Sequence, residues 1–449
     1  MIKRFILAIS VALILVGGLV LLLFFGKSNT FFGLIDKAID DELFKPARKT
    51  AVNVNVYEVT NAVNPQLTFN NLFDDDPDLE NMLKRYFTEY NNALGSLTEL
   101  TENKGLLTEM YERHSVSMNI DFLILERQFQ TRKTARLDLR FEVCDIGLQL
   151  TSVNFGANDF VEIRVTECFA AVFDGIENKL SSYSDVEHFF VLDKRSGSWL
   201  IKRHESNSAL SVYINGELEK LVQADGHSLS ELDALSIGDY VAHLRTVLDR
   251  ETYYYTPEDA IEGATDEAFD NGEPTEEGQQ LPEYTLYMYD RVAALRYADK
   301  FTNRERARRN FDFPEFERNG TNFTSQCINA GGIPFADLWK GIDAGLSSLE
   351  NWANGSRFYE YIISPDSHIS ANVCSYSEAE DADIVQFING GGEAIHGVII
   401  TDSVGGKEFL VAGNSEELKN FPLSALGFDI MRIIKINGYY SYNNTDENI

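Results

Sequence analysis

The amino-acid sequence predicts an α+β protein that begins with a membrane-spanning helix. Residues 5–25 read FILAISVALILVGGLVLLLFF and carry no charged side chain, so they are long enough to cross a hydrocarbon layer of ~30 Å as a helix. A helical pattern and several strand-like runs follow between residues 50 and 210. An acidic segment then precedes another region of helical and strand-like patterns. We therefore expect an anchor followed by two α+β domains.

The N-terminal segment has the features of an uncleaved anchor. Lys3 and Arg4 precede the apolar run, which is longer than the apolar part of most secretory signals and has no clear A-x-A cleavage site. A cleaved signal peptide is the alternative. The two basic residues favour a cytoplasmic N-terminus, although further basic residues after the run weaken this bias. We expect a single-pass protein of the cell membrane, held by residues 1–26, with most of the chain outside the cytoplasm.

Composition excludes several classes of function. The chain of 449 residues has 70 acidic and 39 basic side chains and a net charge of −31. Nucleic-acid binding needs clustered Lys and Arg, so we expect no nucleic-acid partner. The four cysteines match no zinc-site spacing, and we predict no metal and no cofactor. Cys144 and Cys168 could form a disulfide, but buried free thiols are favoured.

Residues 50–210 are predicted to form the first α+β domain. The run AVNVNVYEVT alternates like a strand, and a helix is predicted to begin at Asp76-Pro77. Four long strands are predicted over SMNIDFLILERQF, TARLDLRFEVCDIGLQL, DFVEIRVTECFAAVF and VEHFFVLDKRSGSWLIKRH. The last hairpin resembles those of NTF2-like and cystatin-like domains, which implies a curved sheet and a spacer or binding role. His188 and His204 are interpreted as ordinary strand residues.

Two segments separate this domain from the C-terminal one. Residues 211–255 show mixed helix and turn patterns and are predicted to be a connecting helical region. Residues 256–283 contain TPEDAIEGATDEAFDNGEPTEEGQQ, which is acidic and poor in large apolar side chains. This composition is typical of a flexible linker. The C-terminal domain is therefore placed at residues 284–440.

A short predicted helix in this domain draws attention to one position. The stretch ERNGTNFTSQCINAGGIP predicts a helix that begins near Asn319 and ends at Gly331-Gly332. The first turn of a helix lowers the pKa of a thiol, and hydrolases place nucleophiles there. Here the corresponding residue is a glycine. The stretch is therefore either an active site or the remains of one.

The motifs around this helix occur in a recognisable order. They are Tyr289-Asp290-Arg291, Pro314-Glu315-Phe316, TNFTSQ, GGIP, NWANGSRFYEYI, DADIVQF, AIHGVIITD and FPLSAL. Over about residues 284–440 the chain resembles the bacterial putative amidase domain family, which is similar to the papain-like NlpC-type and CHAP-type hydrolases. The resemblance implies a papain-like fold. It also implies a cysteine thiolate that attacks an amide, a histidine base and a polar residue that orients the histidine.

This chain departs from the family pattern at the centre of the site. Gly320 stands where the family has its cysteine, whereas His396 retains the place of the base. Gly413 takes the place of a second histidine, beside Asn414. Cys327 is a weak alternative nucleophile, because two helical turns put it ~10 Å further along the axis. The candidate binding residues are Asn319, Thr321, Asn322, Gln326, Trp352 and Asn414.

These features favour a degenerate amidase domain that binds cell-wall or other peptides without cutting them. One alternative is an active cell-surface cysteine amidase or peptidase that hydrolyses C–N bonds in peptidoglycan, with Cys327 or an unrecognised residue as nucleophile. A second alternative is a structural or partner-binding surface protein. Whether the chain is an enzyme stays open at this point.

Overall fold

A computed structural model provides the fold. It describes residues 66–69, 77–97, 100–113, 115–156, 160–176, 179–195, 197–249, 252–255, 284–302, 309–316, 318–339 and 346–442. All of these residues belong to one compact unit, Glu58–Ile449. The predicted AVNVNVYEVT strand and the whole predicted linker, residues 256–283, lie outside the described residues.

The prediction of a membrane-spanning helix is wrong for the part of the chain that the structure describes. None of its helices is both long and apolar enough to cross a bilayer. The longest, Pro77–Ser96, carries charged side chains along its length. Residues 5–25, on which the prediction was based, lie outside the described residues. We therefore do not carry forward the membrane helix, the membrane partner or the single-pass localisation.

The first lobe, residues 66–249, combines five helices with a five-stranded sheet. Its helices are α1 (Pro77–Ser96), α2 (Leu100–Thr108), α3 (Val116–Thr134), α4 (Ala209–Ala224) and α5 (Ala234–Leu248). Its strands are β1 (Gln66–Phe69), β2 (Phe141–Phe155), β3 (Phe160–Phe173), β4 (Ser181–Arg195) and β5 (Ser198–Ser206). The strands lie in sequence order, with β1 parallel to β2 and the others antiparallel.

The second lobe, residues 252–442, is built on an eight-stranded sheet. Its strands are β6 (Tyr253–Tyr254), β7 (Tyr284–Met288), β8 (Ile369–Cys374), β9 (Ile384–Ile388), β10 (Ala394–Val404), β11 (Glu408–Ala412), β12 (Phe421–Pro422) and β13 (Ile430–Tyr442). Their order is β12-β11-β10-β9-β13-β6, with β7 and β8 also paired to β13. The helices are α6 (Arg291–Phe301), α7 (Gly320–Ala330), α8 (Leu346–Ala353) and α9 (Gly355–Ile363).

Both faces of the second sheet are covered. On one face, residues such as Val385, Phe387 and Val398 join the core of the first lobe. On the other face, residues such as Ile384 and Ile399 form a separate core with α6 to α9. Burial on both sides explains why the central strands are continuous runs of apolar residues. The first of these two cores is therefore shared by both lobes, and the second belongs to the second lobe alone.

One predicted strand of the first lobe is a helix. SMNIDFLILERQF belongs to α3, whose Ser115 cap accepts a hydrogen bond from the Met118 backbone N–H at 3.3 Å. Its buried residues include Leu123, Ile124 and Leu125, which lie on different sides of the helix. A helix that packs on several sides lacks an apolar stripe with a period of 3.6 residues. Its sequence pattern therefore predicts a strand instead of a helix. The four long strands are β2 to β5.

Candidate active site

The start of α7 is fixed by a chain of side-chain hydrogen bonds. Trp352 Nε1 donates to Asn322 Oδ1 at 2.6 Å, and Asn322 Nδ2 donates to Asn319 Oδ1 at 2.7 Å. Asn319 Nδ2 then donates to Asn414 Oδ1 at 2.6 Å. All four side chains are buried. These hydrogen bonds join the first turn of α7 to α8 and to the segment after β11. They hold the start of α7 in place.

Gly320, the first residue of α7, faces His396 on β10. A Cβ atom built on Gly320 would lie 3.0 Å from His396 Nδ1. The same atom would lie 2.6 Å from the Gly397 carbonyl oxygen and 2.9 Å from the Gly397 nitrogen. Real Cβ atoms do not approach backbone atoms this closely. The position that the motif aligns with a nucleophile thus points at the histidine, and β10 lies too close for any side chain there.

His396 is buried against an aromatic ring. Its ring stacks on Phe387 with a centroid distance of 5.7 Å and an interplanar angle of 9°. Its Nε2 is buried without a hydrogen-bond partner among the described residues. Burial, with a smaller contribution from the positive charge of Arg318, lowers the pKa of His396 to about 4. The imidazole is therefore neutral at physiological pH, and no described residue accepts a hydrogen bond from its Nε2.

The place of the orienting residue is also altered. A Cβ atom on Gly413 would lie 3.2 Å from Val398 Cγ1, so this position faces an apolar neighbour. Asn414, beside it, already accepts the hydrogen bond from Asn319. Gly413 therefore has no side chain to offer His396, and the amide of Asn414 supports the start of α7.

Cys327 lies in the core behind the helix. Its side chain is 0% exposed, and burial raises its pKa well above the usual value. The thiolate is the reactive form of cysteine, and a buried thiol in apolar surroundings stays protonated. Cys327 is thus part of the core that packs behind α7.

The remaining predicted binding residues support α7. Gln326 Oε1 accepts a hydrogen bond from Tyr297 Oη at 2.7 Å, and Thr321 is buried against Gly355. Asn319, Gln326 and Asn414 also line a small cavity of about 40 Å³. None of the six predicted binding residues lines the larger cleft beside His396.

A cleft of about 510 Å³ opens next to His396, and the first lobe forms part of its wall. Residues on α4 and β4 face residues of the second lobe across it. Its charged lining residues are Glu187, Glu217, Lys220, Arg318, Glu393 and Glu416. Sequence reasoning missed these residues because those on α4 lie about a hundred residues before Arg318, and no motif links the two segments.

Replacing His396 by leucine is expected to change the pH dependence of stability. The folded-state pKa of about 4 lies below the ordinary value of 6.5, so the unfolded chain binds more protons between these values. This contribution to stability is present above pH 6.5 and is lost as the pH falls. We expect the native protein to lose about 2–3 kcal/mol more than His396→Leu between pH 7 and pH 4.5.

Urea unfolding at the two pH values measures this difference. Other titrating groups occur in both proteins, so their contributions to the difference in stability cancel. One of them is Glu416, because burial raises its pKa to about 7. His227→Leu, at an exposed position, is the control and should behave like the native protein. Equal losses of stability in the native protein and His396→Leu would show that His396 is not buried in its neutral form.

Comparison with known proteins identifies the second lobe. Residues 288–436 match the model of a family described as "Putative amidase domain". The resemblance to this family is thereby confirmed for about a third of the chain. An uncharacterized protein of Bacillus subtilis (strain 168), YhbB, is 48% identical over 48 residues, which are 11% of this chain and 14% of that protein. The chain thus matches only about one seventh of that relative's length.

Proposed function

We propose that the amidase domain at residues 288–436 is catalytically degenerate and binds peptides without cleaving them. The observation that carries the proposal is the contact between Gly320 and β10. The position opposite His396 has neither a nucleophile nor room for one, yet a cleft of about 510 Å³ remains beside it. A cleft of this size is typical of a ligand site. Retention of the cleft after loss of the nucleophile favours binding.

The charges around the cleft indicate the chemistry of the ligand. Arg318 is exposed beside His396 and pairs with no carboxylate among the described residues. Lys220 lies 3.0 Å from Glu217 and 3.6 Å from Glu393, so its charge is shared. An extended ligand that carries both carboxylates and amines would complement these groups. Cell-wall stem peptides have this character, and we propose them as the ligand class.

The active-amidase alternative has less support. Cys327 is fully buried, and its thiol is protonated. A cysteine hydrolase needs a thiolate within hydrogen-bond reach of a base that another group orients. The described residues provide neither the thiolate nor the orienting group at His396. The proposal for a degenerate domain therefore stands ahead of it.

The test is a calorimetric titration of the full chain with synthetic stem peptides. The full chain is needed because the second sheet packs against the core of the first lobe. We expect binding without hydrolysis, and Arg318→Ala should weaken it about five- to tenfold through loss of a charge-assisted hydrogen bond. Arg357→Ala, on α9 and away from the cleft, is the control. Absence of binding, or release of cleaved peptide by the native protein, would overturn the proposal.

A further inference from the structure

A chain of buried titratable groups crosses the interior of the first lobe. Asp121 Oδ2 lies 2.8 Å from His204 Nδ1, and His204 Nε2 lies 3.0 Å from His188 Nδ1. His188 Nε2 lies 3.1 Å from Glu167 Oε2. These four residues are at most 8% exposed. They contact one another in series, and no group of described residues is arranged to hold a metal ion. Such a network is costly to bury unless each member is satisfied.

Arg132, on the same helix as Asp121, has a different environment. It is 3% exposed, and its Nε and Nη1 have no hydrogen-bond partner among the described residues. Its guanidinium packs over the rings of Phe141 and Phe173, at 5.0 and 5.5 Å from the centroids. Burial lowers its pKa to about 10, which leaves it charged at neutral pH. A buried cation without an anionic partner is strongly unfavourable.

Arg127, on the same helix, is a buried arginine whose guanidinium has hydrogen-bond acceptors. Its guanidinium donates to the carbonyl oxygens of Leu248 at 2.7 Å and Gly427 at 3.0 Å. Arg132 is equally buried but makes no such bonds within the described ranges. The difference indicates that Arg132 is kept for a partner that the described residues do not supply.

Arg132 and the titratable chain line one cavity of about 90 Å³. A water molecule needs about 10–15 Å³ on this measure, so the cavity holds several waters or a molecule of roughly half a dozen non-hydrogen atoms. Much of the remaining wall is aromatic and includes Tyr90, Tyr183 and Phe421. The cavity thus combines the Arg132 guanidinium with aromatic rings and with the carboxyl groups of Asp121, Glu167 and Glu416, none of which satisfies Arg132 Nε or Nη1.

We propose that this cavity binds a small organic carboxylate, whose charge lies against Arg132 and whose apolar body lies among the aromatic rings. A carboxylate suits guanidinium geometry and supplies the missing anion. A body of about three to five carbons fits the volume. Inorganic phosphate fits less well, because it carries more charge and has no apolar part. The cavity adjoins the peptide cleft, since Ala209, His396 and Glu416 line both, but Arg132 lines only the cavity. The proposal therefore does not depend on the proposed function.

Butyrate is the probe, and the full chain is titrated with it by calorimetry and in thermal unfolding. We expect butyrate to bind and to raise the midpoint of unfolding. Butyramide, which has the same body without the charge, should bind at least tenfold more weakly. Inorganic phosphate should give no shift at the same concentration. Arg132→Met should lose at least tenfold in butyrate affinity, whereas Arg164→Met, whose guanidinium lies over Phe189 outside the cavity, should retain it.

Failure of butyrate to bind at about 10 mM, or equal binding of butyramide, would overturn the proposal and leave a water-filled cavity. Retained butyrate affinity in Arg132→Met would also overturn it. If Arg132→Met does not fold, the ratio of butyrate to butyramide affinity in the native protein decides the question without the variant.

Discussion

Gly320→Ala is expected to lower the free energy of unfolding by about 1–3 kcal/mol, the usual cost of overpacking a buried site. The added methyl carbon would meet the Gly397 carbonyl oxygen at 2.6 Å. A backbone atom cannot rotate away as a side chain can, so β10 or α7 must shift. Urea denaturation of the two proteins gives the difference.

Gly238→Ala is the matched control for this change. Gly238 lies inside α5, and a Cβ atom there meets nothing within 4 Å. Alanine is favoured over glycine inside helices, so this variant should gain about 0.5–1 kcal/mol. Opposite signs for the two glycines would show that contact with β10, and not helix propensity, keeps glycine at position 320. Equal effects at both positions would contradict this account.

The same geometry predicts that Gly320→Cys does not restore hydrolysis. The thiol would need the space that Gly397 occupies. With a pKa of about 4, His396 would be a weak base for the proton of the new thiol. No described residue would accept a hydrogen bond from its Nε2 to orient the ring. The variant is compared with the native protein on stem peptides, before and after treatment with iodoacetamide. Hydrolysis by the variant that alkylation abolishes would show that the site needs only its nucleophile.

Sequence motifs were sufficient to identify the amidase domain and to bring Gly320 and His396 together. One motif lies on α7 around Gly320 and another on β10 around His396, and the order of the motifs fixes the alignment. The motif could not indicate that β10 approaches Gly320 so closely, because this depends on sub-ångström packing. Nor could it show that Asn319, Asn322 and Asn414 bond to one another.

Features that join distant segments were not predictable in this way. The cleft brings Lys220 of the first lobe to Arg318 of the second, and no periodicity connects them. The sequence alone predicts that His188 and His204 are ordinary strand residues. Their hydrogen bond joins two strands, and neither strand's sequence pattern indicates it. The helix α3 was missed because it packs on several sides. In each case tertiary packing overrides the local pattern.

Arg127→Met is expected to cause a larger loss of stability, about 3–5 kcal/mol, because three buried carbonyl groups each lose a hydrogen bond to a charged donor. Arg127 donates to the carbonyl oxygens of Leu248, Gly427 and Phe428 at 2.7, 3.0 and 3.3 Å. These bonds join α3 to the end of α5 and to the segment before β13. Methionine has a similar length but no donor, so the carbonyl groups lose their partner while buried.

Arg132→Met provides a control on the same helix, at a site that is equally buried. Because Arg132 makes no side-chain hydrogen bond to a described residue, its replacement removes an unsatisfied cation and should cost less than about 1.5 kcal/mol in ligand-free protein. Urea unfolding of both variants in carboxylate-free buffer measures the contrast. If the two substitutions cost the same, the contacts of Arg127 across the two lobes contribute no more to stability than the packing of its aliphatic stem.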